Sequence, residues 1–143
     1  VPYMVADARQ LRDDLLRRGL ELGTDVGYYE ALGRDHGMEE AGRRMRMALA
    51  FALGDPGCTP TALTVHPFRG ELFVGQRAST AVEAVCENEQ RITVPNSDVR
   101  SRVEGGIARV ASDGVWRAGR EGSGVLIAES RGLSGSALIR VRR

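Results

Sequence analysis

Apolar positions change period partway along the chain. Up to residue 52 they recur at helical spacing, and beyond residue 60 they alternate in short runs broken by glycine. Ala8, Leu11, Leu15, Leu16 and Leu22 form one helical stripe, with Asp7 and Gln10 at capping-box spacing and Gly23 to end it. Asp13 with Arg17 and Asp14 with Arg18 stand at the spacing of ion pairs on an exposed helix face. Thr24 or Asp25 is placed to cap a short second helix through Tyr28, Tyr29 and Leu32, stopped by Gly37. Met38, Ala41, Met45, Ala48, Leu49 and Ala52 form the inner face of a third, and the Gly54-Asp55-Pro56-Gly57 cluster breaks it.

The second part of the chain reads as strands. Leu63 and Val65 alternate with Thr64 and His66, and Leu72 to Val74 follows after a short connection. The 79–89 segment fits both periods, but Thr80 and Glu83 at capping-box spacing, with Ala81, Val82, Val85 and Cys86 on one face, favour a helix. Ile92 to Val94, Ile107 to Val110, Val115-Trp116, Val125 to Ala128 and Ala137 to Val141 are further strands separated by glycine turns. Asp113-Gly114 is the strongest hairpin signal, read as a type I′ turn with positive φ at both central positions. The expected fold is α+β, three N-terminal helices packed on a Gly-rich, mainly antiparallel β-sheet. It forms a single domain over residues 1–143, with a helical layer at 1–55 and a mostly β region at 61–143.

Composition adds bounds rather than a function. A chain of 143 residues, 42% hydrophobic and 27% charged, buries a core without needing disulfides or metal and is expected to be soluble. No apolar run reaches the length of a membrane helix, and Val1 to Ala6 lacks the basic and apolar regions of a signal peptide. The expected location is the cytoplasm or a virion. Cys58 and Cys86 have no CxxC partner and no His at ligand spacing, so nothing in the pattern requires a disulfide and reduced thiols are expected, with an intermolecular bridge in an extracellular assembly as the exception.

All 20 basic residues are Arg, which codon usage in a GC-rich genome explains without any demand from function. Their distribution is more informative. Residues 1–90 hold 10 Arg against 14 acids, whereas residues 91–143 hold 10 Arg against 5. An acidic first part and a basic second part are suited to meet across an interface between copies or with another protein.

Motif chemistry is sparse. The glycine-serine runs at 122–124 and 132–136 lead into strand-like residues, whereas a phosphate loop needs a helix start and usually Lys. Cys58, Cys86, His36 and His66 are the only pieces for a Cys–His pair, and their contexts read as core or turn. No cofactor and no metal are expected. Residues 28–50 have the outline of a degenerate helix-turn-helix with Arg43, Arg44 and Arg46 as its DNA contacts, but Glu39 and Glu40 would face the groove. The expected function is a non-enzymatic interaction or assembly module, such as a structural subunit of a phage virion, forming a homo-oligomer or a multi-subunit assembly. Tyr28, Tyr29, Trp116, Arg140 and Arg142 are its candidate contacts, because Tyr, Trp and Arg dominate interface hot spots. The alternatives are a small DNA-binding regulator and a small hydrolase whose carboxylates sequence does not single out.

Overall fold

The computed structural model describes residues 2–30, 42, 45, 48, 49, 51, 52, 58–88 and 90–143. Among these, helix α1 (Pro2–Arg17) precedes β1 (Pro60–Pro67), β2 (Glu71–Phe73), β3 (Arg77–Cys86), β4 (Arg91–Val94), β5 (Arg100–Glu104), β6 (Ala108–Val110), β7 (Val115–Ala118), β8 (Gly122–Ser130) and β9 (Leu133–Arg142). The strands form two sheets, one with the order β1-β3-β7-β6 and β4 also on β3, the other with the order β2-β9-β8-β5.

The expectation of three helices on one sheet is therefore overturned. Residues 24–30 carry no helix, and Val26 instead bridges back to Leu22. Of the third expected helix, Gly42, Met45, Ala48, Leu49, Phe51 and Ala52 are helical, but Met45 and Leu49, placed on its inner face by their spacing, are exposed. The remaining residues of that helix lie outside the described residues. The 79–89 segment is not a helix either, because most of it belongs to strand β3. Ala81, Val82, Glu83 and Ala84 are all buried, as expected of a strand covered on both faces, so its apolar run imitates a helix.

One apolar core joins the two sheets. Leu63, Val65, Val82, Ile92 and Trp116 from the first meet Leu72, Leu126, Ile139 and Val141 from the second. Period-2 alternation accounts for it, since Leu126 and Ala128 point in from β8 while Val125, Ile127 and Glu129 point out. Where β9 crosses β1 the backbones come close, and a Cβ at position 135 would fall 2.5 Å from the Leu63 carbonyl oxygen, so Gly135 is what lets the layers close. No helix among the described residues is long and apolar enough to cross a membrane.

The Asp113-Gly114 hairpin forms with different turn chemistry. Ala111 N–H donates to Val115 O at 2.9 Å, and Gly114 alone has positive φ, the pattern of a three-residue loop with a left-handed glycine. Positive φ at both central positions occurs instead at Arg131 and Gly132, between β8 and β9.

β3 has the most constrained surroundings. β1 runs along one edge through the register Leu63↔Ala84 and Val65↔Val82. The opposite edge is divided, with β7 pairing to residues 77–79 and β4 to residues 82–85. The sheet forks at Thr80 and Ala81.

The β1 register also pairs Pro60 with Cys86, which brings Cys58 alongside. Cys58 and Cys86 form a disulfide with a Cα–Cα distance of 5.1 Å, so the expectation of two reduced thiols is corrected. Its 28-residue separation in sequence is spanned by the β1–β3 pairing. Reduction should lower unfolding stability by about 2–4 kcal/mol, measured by urea unfolding with and without reductant. Unchanged stability would mean that the bond carries no structural constraint.

Candidate functional site

The outward face of the second sheet collects apolar side chains inside a charged rim. In register across β5, β8 and β9 lie Glu104, Val125 and Leu138 in one row and Arg102, Ile127 and Ser136 in the next. A further row carries Ser123, Arg140 and Glu71, and beyond it Arg142 stands beside Phe73. Leu138 is 80% exposed at the middle of β9, and Phe73 is also exposed. Large apolar side chains grouped in this way mark a contact surface more often than scattered ones do.

The rim is largely neutralised within the chain. Arg102 bonds to Glu129 and stands 3.3 Å from Glu104, and the hydrogen bond to Glu129 leads the contributions that raise its pKa. Arg142 Nε lies 2.9 Å from Glu71 Oε1, and Arg143 Nε lies 3.3 Å from Glu121. No carboxylate among the described residues pairs with Arg140. On this face Arg102, Arg142 and Arg143 are thus held in local ion pairs, while Arg140 stands beside Leu138.

The sequence-named contacts are not brought together. Arg140 and Arg142 lie on this face, whereas Trp116 has 0% exposure in the core and is removed from any surface role. Tyr28 and Tyr29 belong to the segment that runs beside β4 in the other sheet, where Thr93 N–H donates to Tyr28 O at 2.7 Å. Both line a hollow of about 300 Å³ with Phe51, Gln90 and Ile92. Arg43, Arg44 and Arg46 lie outside the described residues. Leu138, Val125 and Ile127 were missed, although a readable signal exists. Runs such as Val125 to Ile127 and Leu138-Ile139 must place at least one apolar side chain on each face of a strand.

A hydrogen-bonded network anchors α1. Arg9 donates twice to Glu30, Nε to Oε1 at 2.7 Å and Nη2 to Oε2 at 2.6 Å, and the Tyr28 hydroxyl donates to Oε1 at 2.6 Å. Glu30 N–H donates to Thr93 Oγ1 at 2.8 Å, tying the network to β4. The Arg12 guanidinium lies 4.6 Å from the centre of the Tyr28 ring, at cation–π distance, and its Nε donates to Asp13 at 2.8 Å. Arg12 is the buried side chain of the helix, whereas of the expected leucine stripe Leu11 is 61% exposed and Leu15 and Leu16 are only half-buried. Burial works against the Glu30 charge, but the hydrogen bonds from Arg9 and then Tyr28 outweigh it and hold the carboxyl below the usual carboxylate range. Burial first, then the bond to Glu30, pushes the Tyr28 phenol up.

Among the described residues no three His, Cys, Asp or Glu side chains converge as metal ligands. His66 Nε2 stands 3.7 Å from buried Glu83, whose other oxygen accepts from Arg91 at 2.7 Å, an arrangement that neutralises an interior charge. No protein-family model matches the chain, and no characterised protein matches it.

Glu30→Gln should cost about 1 kcal/mol at neutral pH, a modest figure because Arg9 is partly solvated. With a folded pKa below the unfolded one, the Glu30 contribution is present above the ordinary carboxylate value and is lost as pH falls through the folded value. Urea unfolding of both proteins from neutral to acid pH should show the difference shrinking as pH falls. A constant difference would assign the effect to packing alone.

Proposed function

We propose that this chain is a non-enzymatic interaction or assembly module that docks through the outward face of β5, β8, β9 and β2. The observation that carries the reading is Leu138, 80% exposed in the middle of a strand and flanked in register by Val125. Burying such a side chain against a partner removes apolar surface from water at roughly 25 cal/mol per Å². The ion-paired rim, with Arg102, Glu129, Glu71 and Arg142, supplies orientation more than affinity.

This replaces an acidic helical face meeting a basic strand edge, because Arg102, Arg142 and Arg143 already have carboxylate partners within the chain and the exposed apolar surface lies between them. The rim carries both signs and therefore suits a second copy or a neighbouring subunit of mixed charge. The Cys58–Cys86 bond supports an oxidising setting such as a virion over a reducing cytoplasm. The DNA-binding alternative rests on Arg43, Arg44 and Arg46, outside the described residues, and nothing in the fold adds to it.

Light scattering across a concentration series tests the reading with wild type and Leu138→Asp. The wild-type chain should associate with rising concentration, and the variant should remain monomeric with an unchanged melting temperature, since the Leu138 side chain is 80% exposed in the single chain. A wild-type chain that stays monomeric, or a variant that associates equally well, would contradict docking through this face between copies.

A further inference from the structure

The fork in the five-stranded sheet opens a cleft of about 510 Å³, within the range of small-molecule sites, on the sheet opposite the docking face. β4 leaves the edge of β3 through Val94, Pro95 and Asn96, while β7 is approached through Ser112 and Asp113, and α1 closes one side. We infer that this cleft binds an uncharged polyhydroxylated ligand, a saccharide.

The lining chemistry selects that class. Arg9 and Arg12 offer only donors, while Asp13, Glu30 and Asp113 offer only acceptors when ionised. A bound anion would face three carboxylates, and a cation two guanidinium groups. A sugar hydroxyl donates and accepts at once and is suited to bridge such neighbours without adding charge. Ser97 and Ser112 add hydroxyls of the same kind. No aromatic side chain among the described residues lines the cleft, so a nucleobase or an aromatic peptide would gain no stacking there.

Two further observations support a built site. The rim is fixed before any ligand arrives. Asn96 Nδ2 donates to Asp113 O at 2.5 Å, Asp113 Oδ1 accepts from Val115 N–H at 3.0 Å, and Glu30 is held by Arg9 and Tyr28. Gly114 has φ +77°, a conformation that favours glycine, and a Cβ there would come within 2.9 Å of the Asn96 amide. In addition Thr80, at the fork itself, is 5% exposed and its Oγ1 has no hydrogen-bond partner. A buried hydroxyl left unpaired is costly in the free protein, and rotation of the Thr80 side chain toward the cleft would let a ligand hydroxyl supply what it lacks.

Amide NMR spectra of the full chain, recorded with glucose, galactose, mannose, N-acetylglucosamine, maltose and cellobiose, test the inference, with sodium phosphate and putrescine as charged controls. At least one sugar should give saturable shifts centred on Thr80, Ala81, Asn96, Ser97 and Ser112. Thr80→Val and Ser112→Ala should each weaken that binding roughly tenfold, about one lost hydrogen bond. Thr80→Val should leave the melting temperature unchanged or raised, since it removes an unpaired hydroxyl, whereas a purely structural Thr80 would lower it. The inference is overturned if none of the sugars gives saturable shifts, if only phosphate or putrescine binds, or if both variants bind sugar as the wild type does.

Discussion

β3 is a strand with three neighbours, and much of the molecule follows from how its edges are divided. β1 occupies one edge, and the other is shared between β7 at its start and β4 at its end. Each of the three must bring its own inward residues to the same side, which places Leu63, Val65, Ile92, Val94 and Trp116 over one core and opposite Leu126, Ile139 and Val141. The same register sets Cys58 beside Cys86. Sharing an edge has a geometric consequence at residues 80–81, where neither β4 nor β7 pairs on that edge, Thr80 N–H instead donates to Gly114 O at 2.8 Å, and the lining turns polar. Fold, crosslink and cleft thus share one origin in strand pairing.

The strands were legible where alternation and turns agree. Val115-Trp116, Val125 to Ala128 and Ala137 to Val141 all lie in strands, and the loop at Asp113-Gly114 joins β6 to β7. β3 was not legible, because a strand buried on both faces loses its period-2 signal and Ala81, Val82, Val85 and Cys86 then satisfy a helical face equally well. α1 is present, but it runs from Pro2 to Arg17, so Asp7 does not cap it and Gly23 does not end it, and its docking face differs from the expected one. A leucine stripe announces apolar burial, whereas the contact is made by Arg12 against Tyr28 and by Arg9 against Glu30, pairings separated by long stretches of chain. The disulfide and the Leu138 face were hidden for the same reason, since both depend on which strands become neighbours.

The charge division in the sequence has a different meaning once the chain is folded. Arg102, Arg142 and Arg143 find Glu129, Glu71 and Glu121 locally, so on the outward face of the second sheet part of the basic charge is held in ion pairs rather than offered to an anionic partner. What remains unsatisfied is apolar on the face around Leu138 and polar in the cleft around Thr80. These two kinds of incompleteness call for different partners, a protein surface for one and a small hydroxylated ligand for the other. Neither depends on Arg43, Arg44 and Arg46, which the helix-turn-helix outline favours.

Native-state hydrogen exchange, followed by NMR, tests the central role of β3 most directly. Strand pairing on both edges predicts that the amides of Val82 to Val85 exchange only through global unfolding and are among the slowest in the chain, with α1 exchanging through local opening. If α1 amides were the most protected and those of β3 exchanged freely, the account of a two-sheet fold organised around β3 would be contradicted.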